Sequence, residues 1–257
     1  MKLSIVIPAH NEEGCIENTV LGLLYKLRKE SVDSEILIIN DHSADYTKVI
    51  LQKLIDRNPE VRFIDNPYPN GFGFAVRAGL ENFSGDAVVV VMADSSDYPE
   101  DVIKFFRKLE EGYDCVFGSR FIKGGRTYNY PRFKLIVNRL ANTFIRIVFG
   151  IRYNDTTNAF KMYQRETIEG LKPFLSGHFN LTVELPLKAI TRGYSYTVLP
   201  NRWINRKTGE SKLKLKEMGS RYLFIVLYCI IEKWLSVGDY RKEKQMQINN
   251  DDATVKK

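Results

Sequence analysis

The sequence predicts an α/β fold, a doubly wound and mostly parallel sheet with helices on both faces, and two observations carry that expectation. Short β-branched runs alternate with amphipathic segments of helical length through the first half of the chain, the β-α-β-α rhythm of a parallel sheet. Three of those runs end in polar, acid-bearing loops, which such a sheet gathers along its carboxyl edge, where ligands bind. The 257 residues are 44% hydrophobic and 12% aromatic, enough to bury a full core.

Leu3–Ile7 reads as the first strand, and no charged leader with an apolar core precedes it, so no secretory signal is read. PAHNEE (Pro8 to Glu13) follows, overlapping a helical pattern near Glu12–Arg28. Glu35–Ile39 is the second strand, continued by NDHSAD (Asn40 to Asp45) and a helix over Tyr46–Asp56, and Val61–Ile64 is the third. NGFGFAVRAGL (Asn70 to Leu80) sets two glycines before a helix over Ala75–Phe83 that carries Arg77. Helix N-termini bind anions, yet the GxGxxG pattern is incomplete, so a plain glycine turn with a solvated arginine fits as well.

Ala87–Val91 reads as an interior strand, buried on both faces. Asp94, Ser95, Ser96 and Asp97 come directly after it, then Pro99 inside the start of a helix over Glu100–Glu110. Two carboxylates and two hydroxyls are the hard oxygen donors that Mg²⁺ or Mn²⁺ prefers, and the same residues also suit a capped turn. Carboxylates at three adjacent strand ends repel unless a cation or a hydrogen-bonding ligand offsets them.

Beyond a strand at Cys115–Phe117 the rhythm changes. A basic loop, GSRFIKGGR (Gly118 to Arg126), leads to a helix over Arg132–Phe149 that mixes Arg132, Lys134, Arg139 and Arg146 with apolar residues. NDTTNAFKMY, a helix near Asn180–Arg192 and a strand at Tyr196–Leu199 follow. The next loop carries Arg202, Arg206, Lys207, Lys212, Lys214 and Lys216, a solvated face or a phosphate clamp. Tyr222–Trp234 is apolar and too short to span a bilayer, so it packs as a core helix or lies in a membrane interface. One domain over residues 1–240 is expected, with an amphipathic helix over 221–236 and a disordered tail over 241–257.

Three cysteines, Cys15, Cys115 and Cys229, give no disulfide framework or zinc spacing, which suits a reducing compartment. The scattered His10, His42 and His178 argue against an imidazole cage. A net charge of +7 points to an anionic partner. Without any recognisable binding module it does not point to nucleic acid.

Taken together, IVIPAHNEE, ND-S-D, GFGFAVRAG, MADSSDYPED, GSRFIKGG, NDTTNAF and NRKTGESKL resemble, in order, the motifs of family 2 glycosyltransferases. More narrowly they are similar to dolichol-phosphate mannose synthases and related polyprenyl-phosphate sugar transferases. The resemblance runs from Leu3 to Trp234 and implies the GT-A, Rossmann-like fold with a C-terminal amphipathic helix. It implies a nucleoside pocket lined by Pro8, Ala9, His10 and Glu12, with Asp41 on base or ribose. The family usually has an aromatic residue where His10 stands. Ala93 and Asp94 fall at the DxD position, where Asp94 is the principal metal ligand; Met92 replaces the first acid, leaving Ser96 and Asp97 as candidate helpers. Arg77, Arg120, Arg206 and Lys212 would face donor or acceptor phosphates, and Asp94, Asp97 and Arg120 would form the catalytic set.

The implied reaction is inverting transfer of mannose or glucose from GDP-mannose or a UDP-hexose to a polyprenyl phosphate, with Mg²⁺ or Mn²⁺. It would take place in the cytoplasm, peripherally on the cytosolic face of a membrane. Two alternatives stand beside it: a glycan acceptor, as in capsule or lipopolysaccharide assembly, and an inactive nucleotide-sugar-binding protein. For a sugar acceptor, Asp97 or Glu184 would be the candidate base.

Overall fold

The computed structural model describes residues 1–205, 215–236 and 238–242. Strands β1 (Leu3–Ala9), β2 (Ser34–Asn40), β3 (Val61–Asp65) and β4 (Ala87–Val90) pair in parallel in the order β3-β2-β1-β4. β5 (Cys115–Ser119) lies further along the same sheet, while β6 (Arg126–Tyr128) leaves it. β7 (Lys161–Gln164) returns between β4 and β5, antiparallel to both. β8 (Tyr196–Pro200) closes the edge in parallel with β5, and β9 (Arg202–Ile204) pairs with β6 in a separate ribbon. The expected mostly parallel α/β sheet is present, with one reversed strand inside it.

Period-two alternation divides the side chains between two cores. Leu3, Ile5, Ile7, Ile36 and Ile38 face one, with α1 (Ile16–Lys29) and α2 (Thr47–Arg57); Val6, Leu37 and Ile39 face the other, with α3 (Phe72–Asn82). α4 (Pro99–Leu109) returns to the first face and starts with Pro99, whose missing N–H costs nothing there. α3 begins ahead of the predicted Ala75, because Gly71 turns the chain into it at once.

β7 is absent from the sequence reading for a physical reason. Lys161, 2% exposed, interrupts its apolar run. The ammonium sits in the core because the carbonyls of Thr156, Asn158 and Thr182 accept its three hydrogens.

α5 (Arg132–Phe149) is inverted relative to an ordinary surface helix. It turns Phe133, Ile136, Leu140, Phe144 and Ile147 outward and buries Asn142. α6 (Arg165–Gly170) follows β7, and α7 (Leu181–Thr191) is buried along most of its length. α8 (Leu215–Leu235) seals a third cluster, with Ile225, Val226 and Cys229 against Val183, Leu187, Ile145 and Phe149. It leaves Leu223, Phe224, Leu227, Ile231 and Trp234 exposed. Among the described residues no helix is long and apolar enough to cross a membrane.

Arg192 and Glu232, both buried, pair at 2.7 Å between α7 and α8. Lys242, assigned from the sequence to the tail, is pinned instead: its Nζ donates to both carboxylate oxygens of Asp114 at 2.9 Å. Residues 243–257 of that tail lie outside the described residues.

Candidate active site

The loops after β1, β2 and β4 converge on the carboxyl edge. Each contains a non-glycine residue in the left-handed region: Asn11 (φ 55°), His42 (φ 56°) and Ser95 (φ 57°). Such residues collect where surrounding contacts over-determine the backbone. Here cross-links do so. Asn11 Oδ1 accepts from the Ala44 amide, Glu13 from the Tyr46 amide and Asp45 from the Glu13 amide. Glu13 and Asp45, two of the acids whose mutual repulsion the sequence raised, are thus held by backbone donors of the facing loop.

Pro8 and Ala9 end β1 and are buried, with the Ala9 carbonyl accepting from the Asp41 amide at 2.8 Å. The Glu12 amide donates to Thr47 Oγ1. Asp41, 4% exposed, anchors the segment before α3. Its Oδ1 accepts from Asn66 at 2.7 Å, and its Oδ2 accepts from the Gly71 amide at 3.0 Å and from Asn70 at 3.2 Å. His10 Nδ1 lies 2.5 Å from the Asp41 carbonyl. These residues, all expected at the nucleoside pocket, are therefore brought together.

Arg77 is not brought to the cavity described next. Its guanidinium carbon sits 5.5 Å from the Tyr68 ring centre and 5.7 Å from that of Phe74.

α3 also abuts the loop before α7 with backbone on backbone. The Phe74 amide donates to the Gly177 carbonyl at 3.1 Å, and a Cβ at Gly73 would collide with the backbone of His178. Next to this junction Phe72 stacks on Phe179, ring centres 4.3 Å apart. Only glycine permits such an approach.

Phe179 opens onto a cavity of about 480 Å³. Its polar end holds Asp94, Ser96 and Arg120, and α5 and α8 supply apolar walls through Phe144, Ile145, Leu223 and Val226. Ser96 Oγ is buried and finds no hydrogen-bond partner among the described residues. Ala93 lies behind, its carbonyl accepting from Thr19. Arg120 is held by Asp155, whose Oδ2 accepts from Nε at 2.8 Å and Oδ1 from Nη2 at 2.7 Å. The rings of Phe121, Tyr130 and Trp203 surround the guanidinium at 5.3, 5.6 and 5.8 Å.

Asp97 does not line that cavity. Its Oδ2 accepts from the Met92 amide at 3.0 Å. Burial, with the charges of Asp94 and Asp101 added, pushes its carboxyl up to about 7, against the pull of that amide and of Arg120. Glu184 is equally withdrawn: fully buried, it accepts from the Leu175 and Ser176 amides and pairs with Lys188 at 2.6 Å. Arg206 and Lys212 lie outside the described residues. Tyr130, Lys134, Asn138, Thr157 and Trp203 also line the cavity and had no site role in the sequence reading; for Lys134 the basic stripe on α5 was the one signal.

Among the described residues no three His, Cys, Asp or Glu side chains gather into a ready cation cage. The donors present fit Mg²⁺ or Mn²⁺ nonetheless. One carboxylate and an unpartnered hydroxyl at the cavity wall are hard oxygen donors, and such ions complete their shells with water and substrate phosphate.

Residues 4–171 match the family model described as glycosyl transferase family 2. The chain belongs to that family. This family 2 glycosyltransferase is 29% identical over 215 residues to the polyprenol monophosphomannose synthase of Mycolicibacterium smegmatis, covering 81% of this chain and 80% of that protein. It is 32% identical over 226 residues to the dolichol-phosphate mannosyltransferase of Pyrococcus furiosus, covering 84% of this chain and 60% of that protein. Among solved structures, it resembles glucosyl-3-phosphoglycerate synthase from Mycobacterium tuberculosis in complex with Mn²⁺, uridine-diphosphate and phosphoglyceric acid. The TM-score is 0.66 at 21% identity, over 90% of this chain and 78% of that one, a likeness of fold. The glycosyltransferase thus has the α/β, GT-A-like architecture expected of it.

Proposed function

We propose that this glycosyltransferase, with residues 1–240 as one catalytic domain, moves a hexose from a nucleoside-diphosphate sugar to a polyprenyl phosphate on the cytosolic face of a membrane. GDP-mannose and UDP-hexoses are the candidate donors. The observation that carries this reading is the cavity, which combines Asp94, Ser96, Arg120 and Lys134 with apolar side chains of α5 and α8. An amphiphile with an anionic head fits that mixed lining, and a glycan does not use its apolar part. The outward apolar faces of the same two helices suit burial among lipid headgroups. The two mannosyltransferase relatives add support through the acceptors in their names.

Transfer needs negative charge on the departing diphosphate to be stabilised. Asp94, with Ser96 beside it, would hold the divalent cation, which supplies Lewis-acid stabilisation of that charge. Arg120 presents a fixed cation to the acceptor phosphate, and the family resemblance adds Arg206 and Lys212, which lie outside the described residues. A phosphate monoester with a second pKa of about 6 is already mostly ionised at neutral pH, so attack needs no general base. The withdrawal of Asp97 and Glu184 from the cavity supports that economy. Attack opposite the leaving group inverts the anomeric centre.

The test is transfer from labelled GDP-mannose and UDP-glucose to a short polyprenyl phosphate, followed by organic extraction. Label in the organic phase is expected. Label confined to water-soluble oligosaccharide, or nucleotide binding without turnover, would defeat the proposal.

A further inference from the structure

Asp155 is fully buried, and the hydrogen bonds its carboxylate accepts all come from one residue. Besides the two guanidinium bonds, its Oδ2 accepts from the Arg120 backbone amide at 3.0 Å. It does not line the cavity, whereas Arg120 does. The three rings around Arg120 restrict its guanidinium but leave it free to rotate, because a ring face attracts a cation without fixing its edge. A two-pronged carboxylate fixes both plane and edge.

The turn that carries Asp155 is fastened on its other side to α5. Thr156 Oγ1 donates to Asn142 Oδ1 at 2.6 Å, while Asn138 Nδ2 and Asn142 Nδ2 donate to Thr157 Oγ1 at 2.6 and 3.0 Å. α5 in turn brings Lys134 and Asn138 to the cavity. A single turn therefore sets the spacing between Arg120 on one wall and polar groups of α5 on another.

We infer that Asp155 is a positioning residue, which touches no substrate and holds Arg120 at the separation from Lys134 and Asn138 that lets one phosphate be gripped from both walls. This rests on the proposed polyprenyl-phosphate acceptor. Neutralising Arg120 is a separate task, and any acid that reached it would serve. Asp155→Glu keeps the charge and lengthens the arm, so it separates placement from neutralisation, and it decides the matter should Asp155→Asn fail to fold.

Trp203 lies over Arg120 and is one of two tryptophans, so a Trp234→Phe background makes its emission a local report. In that background, geranyl phosphate and the nucleoside diphosphate are titrated separately against each variant that melts cooperatively. The expected result for Asp155→Glu is weaker geranyl phosphate binding, on the order of 10-fold for one weakened hydrogen bond to a charged group, with unchanged nucleotide binding and shifted Trp203 emission. Wild-type affinity for geranyl phosphate with an unshifted spectrum would overturn the assignment. Should the unmutated protein bind nucleotide but not geranyl phosphate, the acceptor reading fails. Placement is then judged by emission alone, and an unshifted spectrum in Asp155→Glu overturns it.

Discussion

Asp94 works with few companions. Met92 brings a thioether to the cavity where an acid would add a second hard donor, so removing the Asp94 charge leaves no carboxylate among the described lining residues. Asp94→Asn is expected to lower turnover on the order of 100-fold or more, measured as initial rates across a Mn²⁺ series at saturating donor. Glu184→Gln tests a different property. It leaves Lys188, fully buried, without its carboxylate and should cost about 3–5 kcal/mol, seen as a lower urea midpoint. Asp94 and Ser96 were legible in the sequence because they closely follow a short apolar strand, and Arg120 through the GSR motif of the family the chain resembles. The withdrawal of Asp97 and Glu184 was not, since which backbone amides reach a carboxylate is decided only when distant segments meet.

At the scale of elements, α5 and β7 show how the pattern misleads. The apolar stripe of α5 marks its outer face, so the usual inference that such a stripe points to the core inverts, and Lys134, though read as one of the helix's basic residues, and Asn138 gain no site role. β7 hides behind one lysine whose hydrogen-bond acceptors come from three separate residues. The parallel strands and the helices between them were legible because Val, Ile and Leu in short runs admit few other arrangements. If α5 docks on a membrane, Phe133→Ser with Ile147→Ser should weaken association with anionic vesicles on the order of 100-fold, since each buried side chain contributes about 1.5–3 kcal/mol. The melting temperature should hardly move, both positions being exposed. Vesicle co-sedimentation measures the first and a thermal melt the second.

Besides Asp97, a second pH-sensitive carboxyl lies at the amino edge of the sheet, opposite the site. Burial would raise the Glu35 carboxyl, but donors from Arg62, Ser4 and Ser84 outweigh it and hold the pKa down to about 2 from 4.5. Between those values the unfolded chain binds the extra proton, so stability rises with pH. The contribution is complete above 4.5 and is lost as pH falls towards 2, and it amounts to at most about 3 kcal/mol, less for screening at the half-exposed Arg62. Urea midpoints over this range should fall for the native chain and stay flatter for Glu35→Gln.

The glycine seam between α3 and the loop before α7 works on the same scale. It leaves no side chain to yield between the helix that steadies Asp41 and the loop that presents Phe179. On the proposed reading, the donor and acceptor seats therefore meet at one rigid junction. Filling either should sharpen the affinity of the other by an equal factor, and Gly73→Ala, wedging the seam apart, should abolish that mutual assistance in paired calorimetric titrations. On the proposed reading, the acceptor would then bind tightly only once the donor is seated.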